Sequence, residues 1–408
     1  MKISGIIVEY NPLHNGHVYH IKETKKLTKC DGLIAVLSGN FTQRGIPSVI
    51  DKYIKTEMAL NNDVDLVLEL PTIYSVSSAE FFSFGAISLL NSLNIVDSIC
   101  FGSECGDISK LKEISSILAI EPYEFKLILK ENLQKGIPFA TARSRSLIEY
   151  LKLKNTLSEE DENSISNILN SSNNILGIEY IKSLVKLNSN ITPYTIERKG
   201  GSYNSSTLNS VFSSATSIRN FLKGREDLNI LKGHIPDSEL EMLKNLKNFN
   251  YDFAFDDKIL PYIKFKNFTN PNSLEKLPDA SEGLHNKISK VLNEGNNYYD
   301  IINTIKSKRY TQTRITRILC EYFIGFDNFH INTMRKLPCS YGRILGFNNK
   351  GKEILKLMKK NSSIPLHTKF PKALDDTLKL ELQSSKAYSL INKNYRFNED
   401  FLRSPIIK

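Results

Sequence analysis

The stretch that decides the fold is Gly5-Ile6-Ile7-Val8-Glu9-Tyr10-Asn11-Pro12-Leu13-His14-Asn15-Gly16-His17. The apolar run 3–8 predicts a buried strand, Asn11-Pro12 is a turn signal that ends it, and a segment that can form a helix follows to about residue 29. A helix N-terminus offers free backbone N–H groups and a partial positive charge, which suit phosphate. We therefore predict that strand, turn, His-x-Gly-His and helix hold ATP for attack at its α-phosphate.

The histidines of this stretch are candidates for catalysis. Three of the seven histidines in the chain, His14, His17 and His20, fall within seven residues. His14 and His17 are three apart, so they share one face of the first helical turn and can donate to phosphate oxygens in the transition state. Gly16 lets phosphate approach the backbone closely. A metal site is the alternative, but His20 falls on roughly the opposite side of the helix and the zinc-protease pattern is absent, so no metal ligands are predicted.

Composition limits the class of protein. A length of 408 residues suggests two or three domains. The five cysteines are scattered without a C-x-x-C pair, which favours neither a disulfide framework nor a zinc ribbon and fits a reducing cytoplasm. No window of 18 apolar residues and no signal peptide is present, so we expect no membrane association.

The net charge of +10 is concentrated in the last quarter of the chain. Residues 301–408 contain 21 Lys and Arg against 8 Asp and Glu, a charge of +13, whereas residues 1–300 carry −3. The simplest explanation is a polyanion partner, nucleic acid first. A solvated basic surface that aids solubility is the alternative.

Short apolar runs alternate with helical patterns over the first hundred residues. The predicted strands are 3–8, 33–37, 64–68 and 98–101, and the predicted helices are 17–29, 51–62 and 77–93. This order predicts an α/β, Rossmann-like domain with a parallel sheet and a ligand site at the carboxyl ends of the strands. Asp51 is expected to cap the second helix.

Beyond the first hundred residues the pattern is mostly helical. Residues 107–188 and 238–330 read largely as helices, with a possible strand over 194–197 and another over 344–347. The polar stretch 223–237 is a boundary zone. We therefore expect a catalytic domain over 1–225 and a mainly helical, basic, RNA-binding region over 226–408.

Two further segments supply parts that a His-x-Gly-His site needs. Ser213-Ser214-Ala215-Thr216-Ser217-Ile218-Arg219 places hydroxyl groups and one guanidinium at the start of a predicted helix, where they can bind phosphate oxygens. Paired with His-x-Gly-His, it is typical of the nucleotidyltransferase superfamily related to class I aminoacyl-tRNA synthetases. The other segment contains Asn173, Asn174 and, further on, Arg198; from spacing alone, a helix cap and a surface charge are the preferred interpretation.

Several blocks of sequence, taken in order, resemble one family. They are the segment 9–17 together with Ser38-Gly39-Asn40-Phe41-Thr42-Gln43-Arg44-Gly45, Asp65-Leu66-Val67-Leu68-Glu69-Leu70-Pro71, Ser78-Ala79-Glu80-Phe81-Phe82, Phe101-Gly102-Ser103-Glu104 and Lys308-Arg309-Tyr310-Thr311-Gln312-Thr313-Arg314. They resemble the bacterial tRNA(Met) cytidine acetate ligase family over nearly the whole chain. Ser172 stands where that family leads us to expect proline.

The resemblance implies an enzyme that uses ATP and acetate to form acetyl-adenylate and pyrophosphate. The acetyl group would then pass to N4 of the wobble cytidine of elongator tRNA(Met). The implied ATP-binding residues are Ile7, Val8, Glu9, Tyr10, Asn11, Pro12, Leu13, His14, Asn15, Gly16, His17, Val18, Tyr19, His20, Gly102, Asn173 and Arg198. From the chemistry of its own segment we add Arg219, and we expect Mg²⁺ to accompany ATP.

The basic residues of the last quarter suggest where RNA binds. The predicted contacts are Lys308, Arg309, Tyr310, Arg314 and Arg317, with a second lysine cluster over 350–360. Two other functions stay open. A small-molecule adenylyltransferase would leave the basic quarter without a role, and a non-enzymatic RNA-binding factor would leave the His-x-Gly-His segment without one.

Overall fold

The architecture comes from a computed structural model, which describes residues 1–137, 139–154, 159–198, 214–224 and 227–408. The chain divides into two compact units, the first formed by residues 1–96 and 199–408 and the second by residues 97–198. The predicted domain boundary at 225/226 falls outside the described residues and stays a prediction.

The strands alternate with helices along the chain. In order they are β1 Ile3–Val8, β2 Gly32–Ser38, β3 Leu66–Leu70, β4 Ser98–Ser103, β5 Thr192–Glu197, β6 Gly342–Phe347, β7 Leu366–His367 and β8 Ile406–Ile407. The helices are α1 Asn15–Thr28, α2 Lys52–Asn61, α3 Thr72–Ser75, α4 Ala79–Ser92, α5 Ile108–Ile120, α6 Tyr123–Gln134, α7 Phe139–Leu153, α8 Glu159–Asn170, α9 Ser172–Lys186, α10 Ala215–Gly224, α11 Asp237–Asn248, α12 Leu260–Thr269, α13 Leu284–Glu294, α14 Tyr298–Ile305, α15 Gln312–Ile324, α16 Ile331–Met334, α17 Asn349–Asn361, α18 Asp376–Ile391 and α19 Glu399–Leu402.

In the first unit, β1, β2 and β3 form a parallel array. Their apolar runs are almost continuous because helices cover both faces of such a sheet. Strand β6, from the C-terminal part of the chain, adds antiparallel to β3, and β7 and β8 each pair with β6. The predicted α/β class with a parallel sheet is confirmed, as is the strand predicted over 344–347.

The second unit contains β4, β5 and the five helices α5 to α9 between them. Strands β4 and β5 are parallel and pair over their whole length, from Ser98↔Thr192 to Ser103↔Glu197. The helical connection is long enough for a parallel crossover. The helical pattern predicted over 107–188 is therefore confirmed for the part of the chain that the structure describes.

Local capping explains where several helices begin. Asp51 accepts hydrogen bonds from the backbone N–H groups of Tyr53 and Ile54, so it caps α2 as predicted. Helix α1 begins at Asn15 rather than at residue 17, with His14 as its N-cap. None of the described helices combines the length and apolar composition that crossing a bilayer requires.

A buried ionic network joins the sheet of the first unit to the C-terminal helices. Lys52 lies 2.7 Å from Glu69 and 2.8 Å from Asp400, and Arg343 lies 2.9 Å and 3.0 Å from the same two carboxylates. Glu381 is the third carboxylate near Lys52, at 3.7 Å. Burial, reinforced by the negative charge of Glu69, raises the pKa of Glu381 to about 8. Two cations thus face two carboxylates and one protonated carboxyl group.

We expect Glu381→Gln to change the pH dependence of stability. A carboxyl whose pKa is higher in the folded than in the unfolded chain stabilises fully below its unfolded pKa, and this stabilisation is lost as pH rises toward 8. The amide cannot ionise, so the variant escapes that loss. Urea unfolding should give similar free energies at pH 5 and a relative gain of more than about 1 kcal/mol for the variant at pH 9. If the difference in free energy of unfolding between the wild-type protein and the variant stayed constant from pH 5 to pH 9, Glu381 would be ionised in the folded protein.

Candidate active site

One buried lysine holds the carboxyl ends of β1 and β2 together. Lys55 of α2 has no exposed surface, and its Nζ donates to the Glu9 carbonyl at 2.9 Å, the Ser38 carbonyl at 2.7 Å and the Ser48 hydroxyl at 2.8 Å. Burial lowers the pKa of Lys55 to about 7, against the opposing effect of the Glu9 carboxylate. The lysine fixes the point at which the chain leaves β1, which is where a parallel sheet binds its ligands.

Asn11 then ties the turn after β1 to two distant segments. Its Nδ2 donates to the Pro47 carbonyl at 3.2 Å, and its Oδ1 accepts from the Val49 N–H at 2.9 Å. Its backbone carbonyl accepts from the Arg219 guanidinium at 2.9 Å, and its peptide bond to Pro12 is cis. Asn11 is buried, so its side chain shapes the loop from within.

The two histidines of the motif form a stacked pair. Their ring centroids are 3.8 Å apart. Nδ1 of His14 accepts from the Gly16 N–H at 3.1 Å, and Nδ1 of His17 accepts from the His14 N–H at 3.2 Å. Because both Nδ1 atoms are acceptors, the proton of each neutral ring is on Nε2. Each ring therefore has an Nε2–H donor whose direction is set by the backbone.

The expectation that the first amides of α1 are free is wrong. The Asn15 N–H donates to the His234 carbonyl at 3.0 Å, the Gly16 N–H to the His14 ring, and the His17 N–H to the His14 carbonyl at 2.8 Å. The reason is that His14 has an extended backbone and caps the helix instead of lying in its first turn. This end of α1 therefore offers its partial positive charge and the side chains of the motif, and not its first backbone amides.

Arg219 of α10 lies against the turn after β1, although it is some 200 residues away in sequence. Its guanidinium donates to the Asn11 carbonyl at 2.9 Å and to the Thr216 hydroxyl at 3.0 Å, and the side chain is half-buried. The Ser214 hydroxyl accepts from the backbone N–H three residues on, as helix-capping hydroxyls do. Ser213, the first residue of the predicted segment, lies outside the described residues.

The other predicted residues of the first unit lie on the same strand end and the first turns of α1. Val8, Pro12 and Leu13 are buried, whereas Ile7, Val18, Tyr19 and His20 are half-buried. Tyr10 has a left-handed backbone with φ +45° and packs its buried ring 4.9 Å from that of His17. The apolar members therefore support the turn and the histidine pair.

In the second unit, Gly102, Asn173 and Arg198 are neighbours. The Arg198 guanidinium donates to Oδ1 of Asn173 at 3.1 Å. A Cβ at Gly102 would lie 3.1 Å from Cγ of Arg198, so the absence of a side chain leaves room for the arginine. The structure therefore brings these three predicted residues together at the carboxyl ends of β4 and β5.

Glu104 organises this group, a role that its place in the Phe-Gly-Ser-Glu block did not predict. Its carboxylate accepts from the Asn173 N–H at 3.1 Å, from Asn173 Nδ2 at 2.7 Å and from the Asn174 N–H at 2.8 Å. In turn, the Glu104 N–H donates to Oδ1 of Asn174 at 2.9 Å. The asparagines do not cap α9 themselves; the carboxylate caps it, which suits a helix N-terminus.

No cluster of His, Cys, Asp or Glu that could hold a metal ion occurs among the described residues. The donors in both units are imidazole, guanidinium and amide groups. Such donors suit phosphate oxygens and nucleotide edges more than a divalent cation.

The predicted RNA contacts surround one tyrosine of the first unit. The ring of Tyr310 lies 5.8 Å from the Arg309 guanidinium and 5.6 Å from that of Arg314. Lys308 and Arg309 are exposed. Arg317 differs, because it is half-buried near Asp279 and burial lowers its pKa.

Helix α15, which carries Arg314 and Arg317, is packed against the loop after β2. The Thr316 hydroxyl donates to the Arg44 carbonyl at 2.6 Å. Gly45 has φ +71° and its α-carbon faces the α15 backbone so closely that a Cβ would lie 2.4 Å from Arg317 Cα. Within the same loop, the Gln43 N–H donates to the Glu9 carboxylate at 2.6 Å. An unbroken set of contacts thus links the turn after β1 to the basic cluster, which comprises Lys308, Arg309, Arg314 and Arg317.

Comparison with known proteins is consistent with this geometry. The HIGH Nucleotidyl Transferase family model matches residues 1–401. Proteins named tRNA(Met) cytidine acetate ligase from Clostridium novyi and Clostridium kluyveri are 54% and 55% identical, over 100% of this chain and 99% of their own length.

Two crystal structures of Thermotoga maritima TmcAL are similar along the entire chain. The apo form has a TM-score of 0.91, and the form bound with alpha-thio ATP has a TM-score of 0.90. Each is 34% identical, and the match covers 100% of this chain and 99% of the other. The chain therefore belongs to the HIGH nucleotidyl transferase family and, within it, to the family of tRNA(Met) cytidine acetate ligases.

Proposed function

We propose that this protein activates acetate with ATP and transfers the acetyl group to N4 of the wobble cytidine of elongator tRNA(Met). Full-length relatives carry the name of that activity, and a structural neighbour binds an ATP analogue. The observation that carries the proposal is the set of contacts from Glu9 through the loop after β2 to Thr316, which joins the phosphate-binding turn to a basic cluster. We place the reaction in the cytoplasm, with its tRNA substrate.

The first step joins acetate to the α-phosphate. An acetate oxygen attacks phosphorus, the bond to the bridging oxygen breaks, and pyrophosphate leaves. Acetate is already an anion, so this step needs positioning and charge neutralisation rather than a strong base. We assign hydrogen bonding to the phosphate oxygens to the Nε2–H groups of His14 and His17 and charge neutralisation to the Arg219 guanidinium, with the α1 dipole adding to it.

The second step breaks the mixed anhydride. The exocyclic N4 of cytidine attacks the acetyl carbon, AMP leaves with its electron pair, and N4 gives up a proton to form the amide. The good leaving group makes a covalent acyl-enzyme unnecessary. Direct transfer is therefore the simpler route.

The remaining nucleotide contacts are assigned to the second set of residues. We propose that Gly102, Asn173 and Arg198 also contact ATP, since the guanidinium and amide are held together by Glu104 at a strand end. Mg²⁺ would arrive with the phosphates of ATP, because hard cations prefer phosphate oxygen and water to the imidazole and guanidinium groups found here.

We assign tRNA binding to Lys308, Arg309, Tyr310 and Arg314, with Arg317 on the same helix as Arg314. Two guanidinium groups lie 5.8 Å and 5.6 Å from the centre of the Tyr310 ring, which places phosphate contacts next to an aromatic ring on which a base can stack. The basic quarter of the chain supplies the long-range attraction.

The direct test is incubation of the protein with labelled acetate, ATP and bacterial tRNA, followed by digestion of the RNA. We expect label in N4-acetylcytidine, in elongator tRNA(Met) alone. Transfer of AMP to a metabolite with no label in RNA would indicate a small-molecule adenylyltransferase. An absence of ATP turnover would indicate a non-enzymatic RNA-binding factor.

We expect His17→Ala to abolish acetyl-adenylate formation while the fold is retained. The variant loses an Nε2–H donor aimed at the transition state, so acetate-dependent ATP–pyrophosphate exchange should fall at least about 100-fold. His330→Ala, an exposed histidine outside the site, is the matched control. Normal exchange in the His17 variant would exclude the assigned role.

Removal of the Glu104 carboxylate should mainly weaken ATP binding. Glu104→Ala frees Asn173, and through it Arg198, so we expect KM for ATP in the exchange assay to rise by about tenfold with a smaller change in kcat. Glu113→Ala, an exposed glutamate on α5, serves as control. An unchanged KM for ATP would mean that this group does not contact the nucleotide.

Neutralising the basic cluster should reduce tRNA affinity and its salt dependence. For Lys308→Gln, Arg309→Gln and Arg314→Gln combined, three lost phosphate contacts lower the slope of log K against log[salt] by about 2. The control neutralises three exposed lysines, Lys126 and Lys130 of α6 and Lys135 directly after it. Equal affinity of both variants for tRNA would place the RNA surface elsewhere.

A further inference from the structure

A groove beside α17 combines an apolar floor with a row of lysines. The cavity has a volume of about 610 Å³, and its floor includes Phe347, Leu355 and Leu366. Lys352, Lys356 and Lys359 line it from the helix. Volumes of this size accommodate a ligand as large as a nucleotide.

The lysines are arranged as a line of positive charge. Spacings of four and three residues put Lys352, Lys356 and Lys359 on one face of α17, over about 10 Å of helix. All three are exposed, and no acidic residue lines the cavity. By contrast, Lys350 on the same helix pairs with Glu353 at 3.0 Å. The three lysines thus face a groove in which the described lining residues include no carboxylate.

The floor of the groove sits at the edge of the sheet. Strand β6 is bordered on its outer side by β7 at Gly342–Arg343 and by β8 at Gly346–Phe347, so Ile344 and its neighbour lie between two short partners. Ile344 lines the cavity, and the half-buried Phe347 presents an aromatic ring there. Thr368 adds a hydroxyl group at the rim.

We propose that this groove is a second RNA-docking surface, which takes an unstacked nucleotide of the tRNA substrate with its neighbouring phosphates on the lysine row. Repeated positive charge at regular intervals complements a polymer with one negative charge per residue. An apolar floor with an aromatic ring suits a base that has left its stack. The inference rests on the proposed function, since it is the tRNA substrate that supplies the nucleotide.

The position of the groove fits a large substrate. In the first unit, β6 lies three strands from β1 in the order β1-β2-β3-β6, a distance of about 14 Å across the sheet. A tRNA whose wobble base is at the turn has enough bulk to reach the groove with another part of the molecule.

The test compares two pairs of lysine substitutions. Lys356→Gln with Lys359→Gln removes two charges from the groove, and Lys126→Gln with Lys130→Gln removes two exposed charges of α6 that do not line it. We expect the groove pair to weaken binding of an elongator tRNA(Met) transcript about tenfold and to lower its salt slope by about 1.4, as two single-strand phosphate contacts would. The control pair should change Kd less than about twofold. Thermal unfolding midpoints verify that all variants are folded.

A third variant separates stacking from charge. Phe347→Leu keeps an apolar floor but loses the aromatic face, so we expect weaker tRNA binding with an unchanged salt slope. A photo-crosslinking amino acid at Thr368 should join the protein to single-stranded nucleotides of the tRNA. This second measurement does not depend on the stability of the charge variants.

Several results would overturn the proposal. If the groove pair and the control pair weakened tRNA binding equally, the effect would come from the overall positive charge of the protein and not from the groove. Unchanged binding in the groove pair, without crosslinks at Thr368, would exclude RNA from the groove, and capture of an acidic peptide instead would assign it to a protein partner. These results differ from failure of the proposed function, in which the wild-type protein itself would not acetylate tRNA.

Discussion

Lys52 lies fully inside the protein, and its ammonium group is close to three carboxyl groups, those of Glu69 at 2.7 Å, Glu381 at 3.7 Å and Asp400 at 2.8 Å. Two of them, Glu69 and Asp400, also bind Arg343, which extends from the C-terminal strand β6. Burying an unpaired charge costs about 3–5 kcal/mol of free energy. Each of these side chains is therefore stable in the interior only when its charged partners are present. The sheet of the first unit is therefore complete only when β6 and the C-terminal helices are in place. The loops at the carboxyl ends of its strands depend on the same contacts.

Lys52 and Lys55 are neighbours on α2 with separate tasks. Lys52 faces the ionic network, whereas Lys55 faces the backbone carbonyls at the ends of β1 and β2. The same helix thus connects the position of the C-terminal elements to the start of the turn that carries the histidines. In the function that we propose, this connection would hold the phosphate site in place although the N–H groups at the beginning of α1 are already engaged within the protein.

The sequence was sufficient where one local rule decides the structure. Apolar runs predicted β1 to β4 within a few residues, and Asp51 was recognisable as a cap because carboxylates before a helix bind its first amides. It was insufficient where long-range contacts decide. No local pattern indicates that β6 pairs with β3, or that Glu104 binds two residues about 70 positions away. For His14, a helix cap and a first-turn donor have nearly the same sequence pattern, and only the backbone angles distinguish them.

The capped geometry changes how the histidine pair works. If the amides of α1 were free, they would bind phosphate equally well before and after reaction, and the rings would be accessory. Because those amides are engaged, the difference in binding between substrate and transition state depends, in the proposed mechanism, on the two histidine side chains. The backbone fixes their orientation, since each Nδ1 accepts from a backbone N–H and each proton lies on Nε2. Donors that need no reorganisation as charge develops stabilise the transition state more than the bound substrate. In the function that we propose, the cap would therefore belong to the catalytic arrangement, because it sets the tautomer and the direction of both rings.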